Sequence, residues 1–132
     1  MPDKPNPADQ VRLAIPARPD FVHVLRAVAS GMASRLDFRY DDLEDLSLAI
    51  DEACAYLLRM QPGALTLSLL LTPLEGGVLD VRASVDAPSP RVPPADAHQW
   101  MIWHVLGALT DGASLEQGDG GPAIRFTKRG AA

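Results

Sequence analysis

This sequence predicts an α/β fold: a two-layer sandwich whose mixed, mostly antiparallel sheet carries helices on one face. Three observations carry the expectation. Segments with an apolar residue at every second position occur near both ends and in the middle of the chain. Two long stretches with helical apolar spacing separate the first such segment from the next pair. The strand-like segments after them come as closely spaced pairs, which suits hairpins rather than parallel crossovers.

Residues 1–10, "MPDKPNPADQ", are polar and proline-rich and read as a flexible tail, without the apolar stretch of a secretory signal. Residues 11–132 read as one domain. "VRLAIPA" alternates through Val11, Leu13 and Ile15 as a first strand, ended by Pro16 and Pro19. Pro19 suits the first turn of a helix, and Asp20 its positive end. That helix runs to Leu36 and buries Phe21, Val24, Leu25, Val28, Met32 and Leu36, leaving Arg18, His23 and Arg26 outside the stripe.

Asp41 and Glu44 form a D-x-x-E variant of the capping box and start a second helix. Leu43, Leu46, Ile50, Ala53 and Leu57 make its core face, and Pro62 and Gly63 stop it. At about 100° per residue, Glu52 points roughly 200° away from Ile50, toward the side of Asp45, Leu48, Tyr56 and Arg59. A face that mixes charge with Leu and Tyr suits a pocket or an interface. "ALTLSLLLTP" places Leu65, Leu67, Leu69 and Leu71 on one sheet face, and "VLDVRASVD" answers with Leu79, Val81, Ala83 and Val85. Ala87 to Gln99, with four prolines, is an irregular loop. "WMIWHVLGALTD" is helical, with Met101, Ile102, Val105, Leu106 and Leu109 buried, and a hairpin turning at "GDGG" closes the chain.

Composition narrows the function classes. Apolar residues make up 47% of the 132, which fits a folded globule. A net charge of −5 disfavours wholesale binding to nucleic-acid phosphates but suits a basic protein partner. The single cysteine, Cys54, excludes an internal disulfide and reads as a buried, inert thiol. No apolar run reaches the roughly 20 residues that span a bilayer, so a cytoplasmic location is expected. His23, His98 and His104 have no metal-ligand spacing. Trp100 and Trp103 read as core or interface anchors, because no basic residues surround them for base stacking. "GDGG" reads as a turn, since no helix follows it to cradle a phosphate. The adjacent Asp51 and Glu52 diverge by about 100° on their helix and are not a facing acid/base pair.

Order and spacing together resemble a family. From about Val11 to Lys128 the chain is similar to the RsbW-like anti-sigma-factor serine kinases of the GHKL ATPase superfamily, with their Bergerat-type fold, and most of all to the actinobacterial members. The resemblance is closest in "DLSLAIDEACAYLL" and "WHVLGALTDGASL". It implies an E-x-x-x-N box on the second helix, with Glu52 at the position of the base in phosphoryl transfer and Asp51 as the common acidic neighbour. Tyr56 stands where the Asn that holds Mg²⁺ is expected, and a phenol is a poor substitute for a carboxamide oxygen as a ligand. The D-x-G-x-G box keeps Asp86 for the adenine amino group, but "DAPSP" puts Pro88 and Pro90 at the glycines. Trp100 and Ile102 stand near the glycine pair that would open the last helix.

Three altered elements imply a decayed nucleotide site, so no cofactor is expected, with ATP and Mg²⁺ as the alternative. The resemblance then implies a transcription regulator of a stress response. In that role it sequesters an RNA-polymerase sigma factor and is released by a STAS-domain anti-anti-sigma factor. The partner-binding positions are Arg18, His23 and Arg26 together with the loop from Ala87 to Gln99. A homodimer is expected from the family, and no contact with nucleic acid or membrane. The alternative is an active serine kinase that phosphorylates the STAS-domain partner, with Glu52 as base and Asp86 on adenine.

Overall fold

The computed structural model describes residues 8–87, 97–118 and 121–130. The proline-rich stretch 88–96, and with it Pro88, Pro90 and most of the expected loop, lies outside the described residues, as do residues 1–7 of the tail. The elements are β1 (Val11–Pro16), a 3₁₀ turn (Pro19–Phe21), α1 (Val22–Ser34), α2 (Tyr40–Met60), β2 (Thr66–Leu74), β3 (Val78–Asp86), α3 (Ala97–Leu109), β4 (Gly112–Gly118) and β5 (Gly121–Arg129). The order of strands and helices is the one the sequence predicts. The helix expected after the proline loop starts at Ala97, inside the stretch read as loop.

The strands form one sheet in the order β1-β2-β3-β5-β4. Each of these pairings is antiparallel, so the sheet is not mixed as expected. The cause is the connections: two hairpins, β2–β3 and β4–β5, join neighbours directly. The register puts Leu13, Leu69, Ala83, Ile124 and Leu115 in one row across all five strands. Val11, Leu71, Val81, Phe126 and Ala113 form a second row on the same face. Helices α1, α2 and α3 pack against this sheet, an α/β arrangement compatible with a two-layer sandwich. The β2–β3 turn needs Gly76 and Gly77 because both have positive φ, at 83° and 72°.

Several side chains depart from the predicted pattern. Val24 is 36% exposed, and α1 instead buries Val22, Leu25, Ala29, Met32 and Ala33. The two alanines permit close helix approach, and a search for large apolar residues overlooks them. Leu65 precedes β2 and is 66% exposed, so it does not share the inner face with Leu67, Leu69 and Leu71. Met101 is also exposed, while Ile102 and Leu106 are buried. The start of α2 is capped by a different pair from the expected Asp41 and Glu44. The Asp42 carboxylate accepts the Arg39 backbone N–H at 2.9 Å, and the helix begins at Tyr40.

The α1–α2 link is short and specific. The Phe38 N–H reaches the Ala33 carbonyl and the Asp37 N–H that of Ser34, with Asp37 at φ 62°. This is a Schellman ending with an aspartate where glycine is the usual residue. It turns the chain back on itself, so α1 and α2 run side by side.

Candidate functional site

The central element of the site is α2, because it is flanked on both sides. Helix α1 packs on one flank and α3 on the other. Its buried residues, among them Leu46, Ala49, Ile50, Ala53, Cys54, Tyr56 and Leu57, therefore cover a wide arc. At about 100° per residue that arc spans roughly 160°. Tyr56 falls at its edge and is 0% exposed, so, contrary to the sequence expectation, it does not share the open side with Glu52 and Arg59. The Arg59 guanidinium lies 5.8 Å from the centre of the Tyr56 ring.

The two adjacent carboxylates enter different clefts. Asp51 lines a cleft of about 490 Å³ between α1 and α2, together with Pro19, Val22, Arg26, Ala55 and Arg59. Glu52 lines a second cleft, of about 330 Å³, between α2 and α3, with Leu48, His104, Val105 and Ala108. The mixed face that the sequence predicts as a pocket or interface is thus divided between two clefts, with α2 as the wall between them. Trp100, 66% exposed, stacks on His104 at 5.3 Å, and Trp103 packs against the core.

Arg26 Nη1 donates to Asp51 Oδ1 at 2.5 Å and ties α1 to α2. The pair is more than a third exposed, so its net contribution is at most about 1 kcal/mol. Sequence reading placed both residues and missed their pairing, which depends on the turn at Asp37. Arg18 is bound locally, its guanidinium gripping the Asp20 carboxylate at 2.9 and 3.3 Å. That hydrogen bonding raises the Arg18 pKa and lowers the Asp20 pKa. His23 Nδ1 lies 3.0 Å from the Asp20 carbonyl oxygen. The three proposed partner-binding residues therefore sit at the start and first turns of α1, beside the α1–α2 cleft, and Arg26 lines it.

Cys54 is buried, and its thiol is pushed up to about 12, first by burial and then by the Asp51 carboxylate, against the opposing effect of Arg26. The burial expected from sequence is observed. Asp86 ends β3 with an exposed side chain and does not line either of these two clefts. Ile102, near the expected glycine pair, is buried at 3%. Among the described residues no group of three or more His, Cys, Asp or Glu side chains is arranged to hold a metal ion.

Part of the chain is similar to the serine-protein kinase RsbW. The protein of that name from Bacillus subtilis is 45% identical over 49 residues, which is 37% of this chain and 31% of that protein. The Bacillus velezensis protein is 48% identical over 46 residues, 35% of this chain and 29% of its own length. The Bacillus pumilus protein is 44% identical over 46 residues, 35% and 28% of the respective lengths. The chain thus spans less than a third of these relatives, and the partial matches support an RsbW-like relationship. No family model matches the chain. No described helix is long and apolar enough to cross a membrane.

Proposed function

We propose that this protein is an anti-sigma factor that sequesters an RNA-polymerase sigma factor by protein–protein contact. A STAS-domain anti-anti-sigma factor releases it by partner exchange, and phosphoryl transfer is not required. The observation that carries this reading is Tyr56. It stands at the position where the RsbW-like resemblance implies a Mg²⁺-binding Asn, and its side chain is 0% exposed within the core. A metal ligand there has to present an oxygen to the cleft that holds Glu52. The site proposed to be lost is a degenerate GHKL-type nucleotide site, with Asp86 as its remaining adenine contact. Arg18, His23 and Arg26 are the proposed contacts to the sigma factor, in a molecule of net charge −5 that attracts a basic partner.

The second reading is an active serine kinase. Glu52 favours it, because its carboxylate is exposed at the α2–α3 cleft, and the similar proteins are named as serine-protein kinases. Calorimetry with Mg-ATP separates the two. The anti-sigma reading expects no binding at micromolar concentrations. Micromolar affinity with phosphate transfer to a STAS-domain protein, lost in Glu52→Gln, establishes the kinase instead.

A further inference from the structure

We infer that the α1–α2 cleft binds a small amphipathic anion, of the class of medium-chain carboxylates. This inference does not depend on the proposed function, and the cleft is distinct from the one that Glu52 lines. Its volume of about 490 Å³ falls within the usual range for small-molecule sites. The wall is apolar: Ala17 and Pro19 lead into α1, Val22 follows one turn on, and Ala55 and Leu58 face them from α2.

The polar groups sit at the two ends. On α2, Asp51 and Arg59 are eight residues apart, which is about 12 Å along a helix. At the first end, Asp51 already holds Arg26. At the other, Arg59 is exposed and its described contact is the Tyr56 ring. No carboxylate within 4 Å pairs with Arg59 among the described residues. No acidic side chain stands one turn before Arg59 on α2, where Ala55 and Tyr56 are found.

The cleft therefore carries two guanidinium groups and one carboxylate. It is locally positive on an acidic molecule. A planar guanidinium suits a carboxylate head, which it can bind through two parallel N–H donors. The apolar wall between the two ends suits an alkyl body. With C–C bonds of about 1.5 Å and tetrahedral angles, an extended eight-carbon chain is about 9 Å long, roughly three-quarters of the 12 Å or so of helix between Arg59 and Asp51. Ala55 is exposed and Leu58 half-buried, so the apolar surface open to the alkyl chain is mainly theirs, with Val22 buried beneath it.

The test is titration of the full chain with octanoate, followed by amide chemical shifts. Octan-1-ol and octyltrimethylammonium serve as neutral and cationic controls. Saturable shifts clustered at Val22, Arg26, Ala55 and Arg59 are expected, with octanoate binding at least tenfold tighter than either control. Arg59→Gln should weaken octanoate binding about tenfold, equivalent to ~1.4 kcal/mol. Ala55→Trp, which fills the cleft from an exposed position, should abolish it. Melting curves like that of the parent protein show that both variants are folded. The inference is overturned by non-saturating shifts, by equal affinity for the cation, or by unchanged affinity in the two folded variants.

Discussion

Tyr56, Cys54 and the Asp51–Glu52 pair show how one helix assigns different environments to neighbouring residues. Tyr56 fills core space, so Tyr56→Ala should destabilise the fold by about 3–5 kcal/mol, the range for loss of a large buried aromatic. Glu52→Gln should change stability by no more than about 0.5 kcal/mol, because the side chain is exposed. Denaturant melts of the two variants measure both. Cys54 gives a pH prediction. Its folded-state pKa is raised from 9.0 to about 12, so the folded state holds the thiol proton more tightly than the unfolded chain does. That contribution is complete below pH 9 and is lost as pH rises toward 12. The melting temperature should fall over that interval, and part of the fall should be absent in Cys54→Ala. The thiol should also resist alkylation at neutral pH in the folded protein.

At the scale of elements, strand alternation and helix periodicity carried most of the fold. β3 was legible down to each inward residue, because Leu79, Val81, Ala83 and Val85 alternate strictly and are all buried. In α2 the helical period placed Leu46, Ile50, Ala53 and Leu57 in the core, whereas Leu43 is only half-buried and Ala49 and Cys54 widen the buried face. What escaped sequence reading depends on tertiary contacts. Tyr56 is buried because α2 is flanked on two sides, and period alone does not reveal the number of neighbours. The Arg26–Asp51 pair, 25 residues apart, depends on the turn between α1 and α2. That turn is itself a point of strain. Asp37 occupies a left-handed conformation that glycine adopts freely, so Asp37→Gly should stabilise the protein by about 1 kcal/mol. The Asp42 carboxylate caps α2, and Asp42→Ala should cost about 1 kcal/mol. Thermal unfolding of the two variants should therefore shift in opposite directions.

For the whole molecule, the two sheet faces have different roles. The inner face and the three helices make the core. The outer face carries the row Arg12, Leu70, Arg82, Arg125 and Ser114, with ion pairs from Arg125 to Asp80 and from Arg82 to Glu116. β1 and β4 are its edges. The expected homodimer can use an edge or the outer face, and light scattering at tens of micromolar should give twice the chain mass. The proposed partner-binding residues Arg18, His23 and Arg26 lie on the opposite side, at the start and first turns of α1. Reversing Arg26 to Glu would set a carboxylate against Asp51 and disturb the α1–α2 contact as well as an interface. Arg26→Gln and Arg18→Glu are therefore the informative variants, each expected to weaken a sigma complex by at least about 1 kcal/mol. The most direct measurement is a pull-down of the purified, folded protein against each sigma factor of its source organism, with and without Mg-ATP. The anti-sigma reading predicts one saturable complex that forms without nucleotide and is weakened by Arg18→Glu. No complex with any sigma factor under either condition would contradict it.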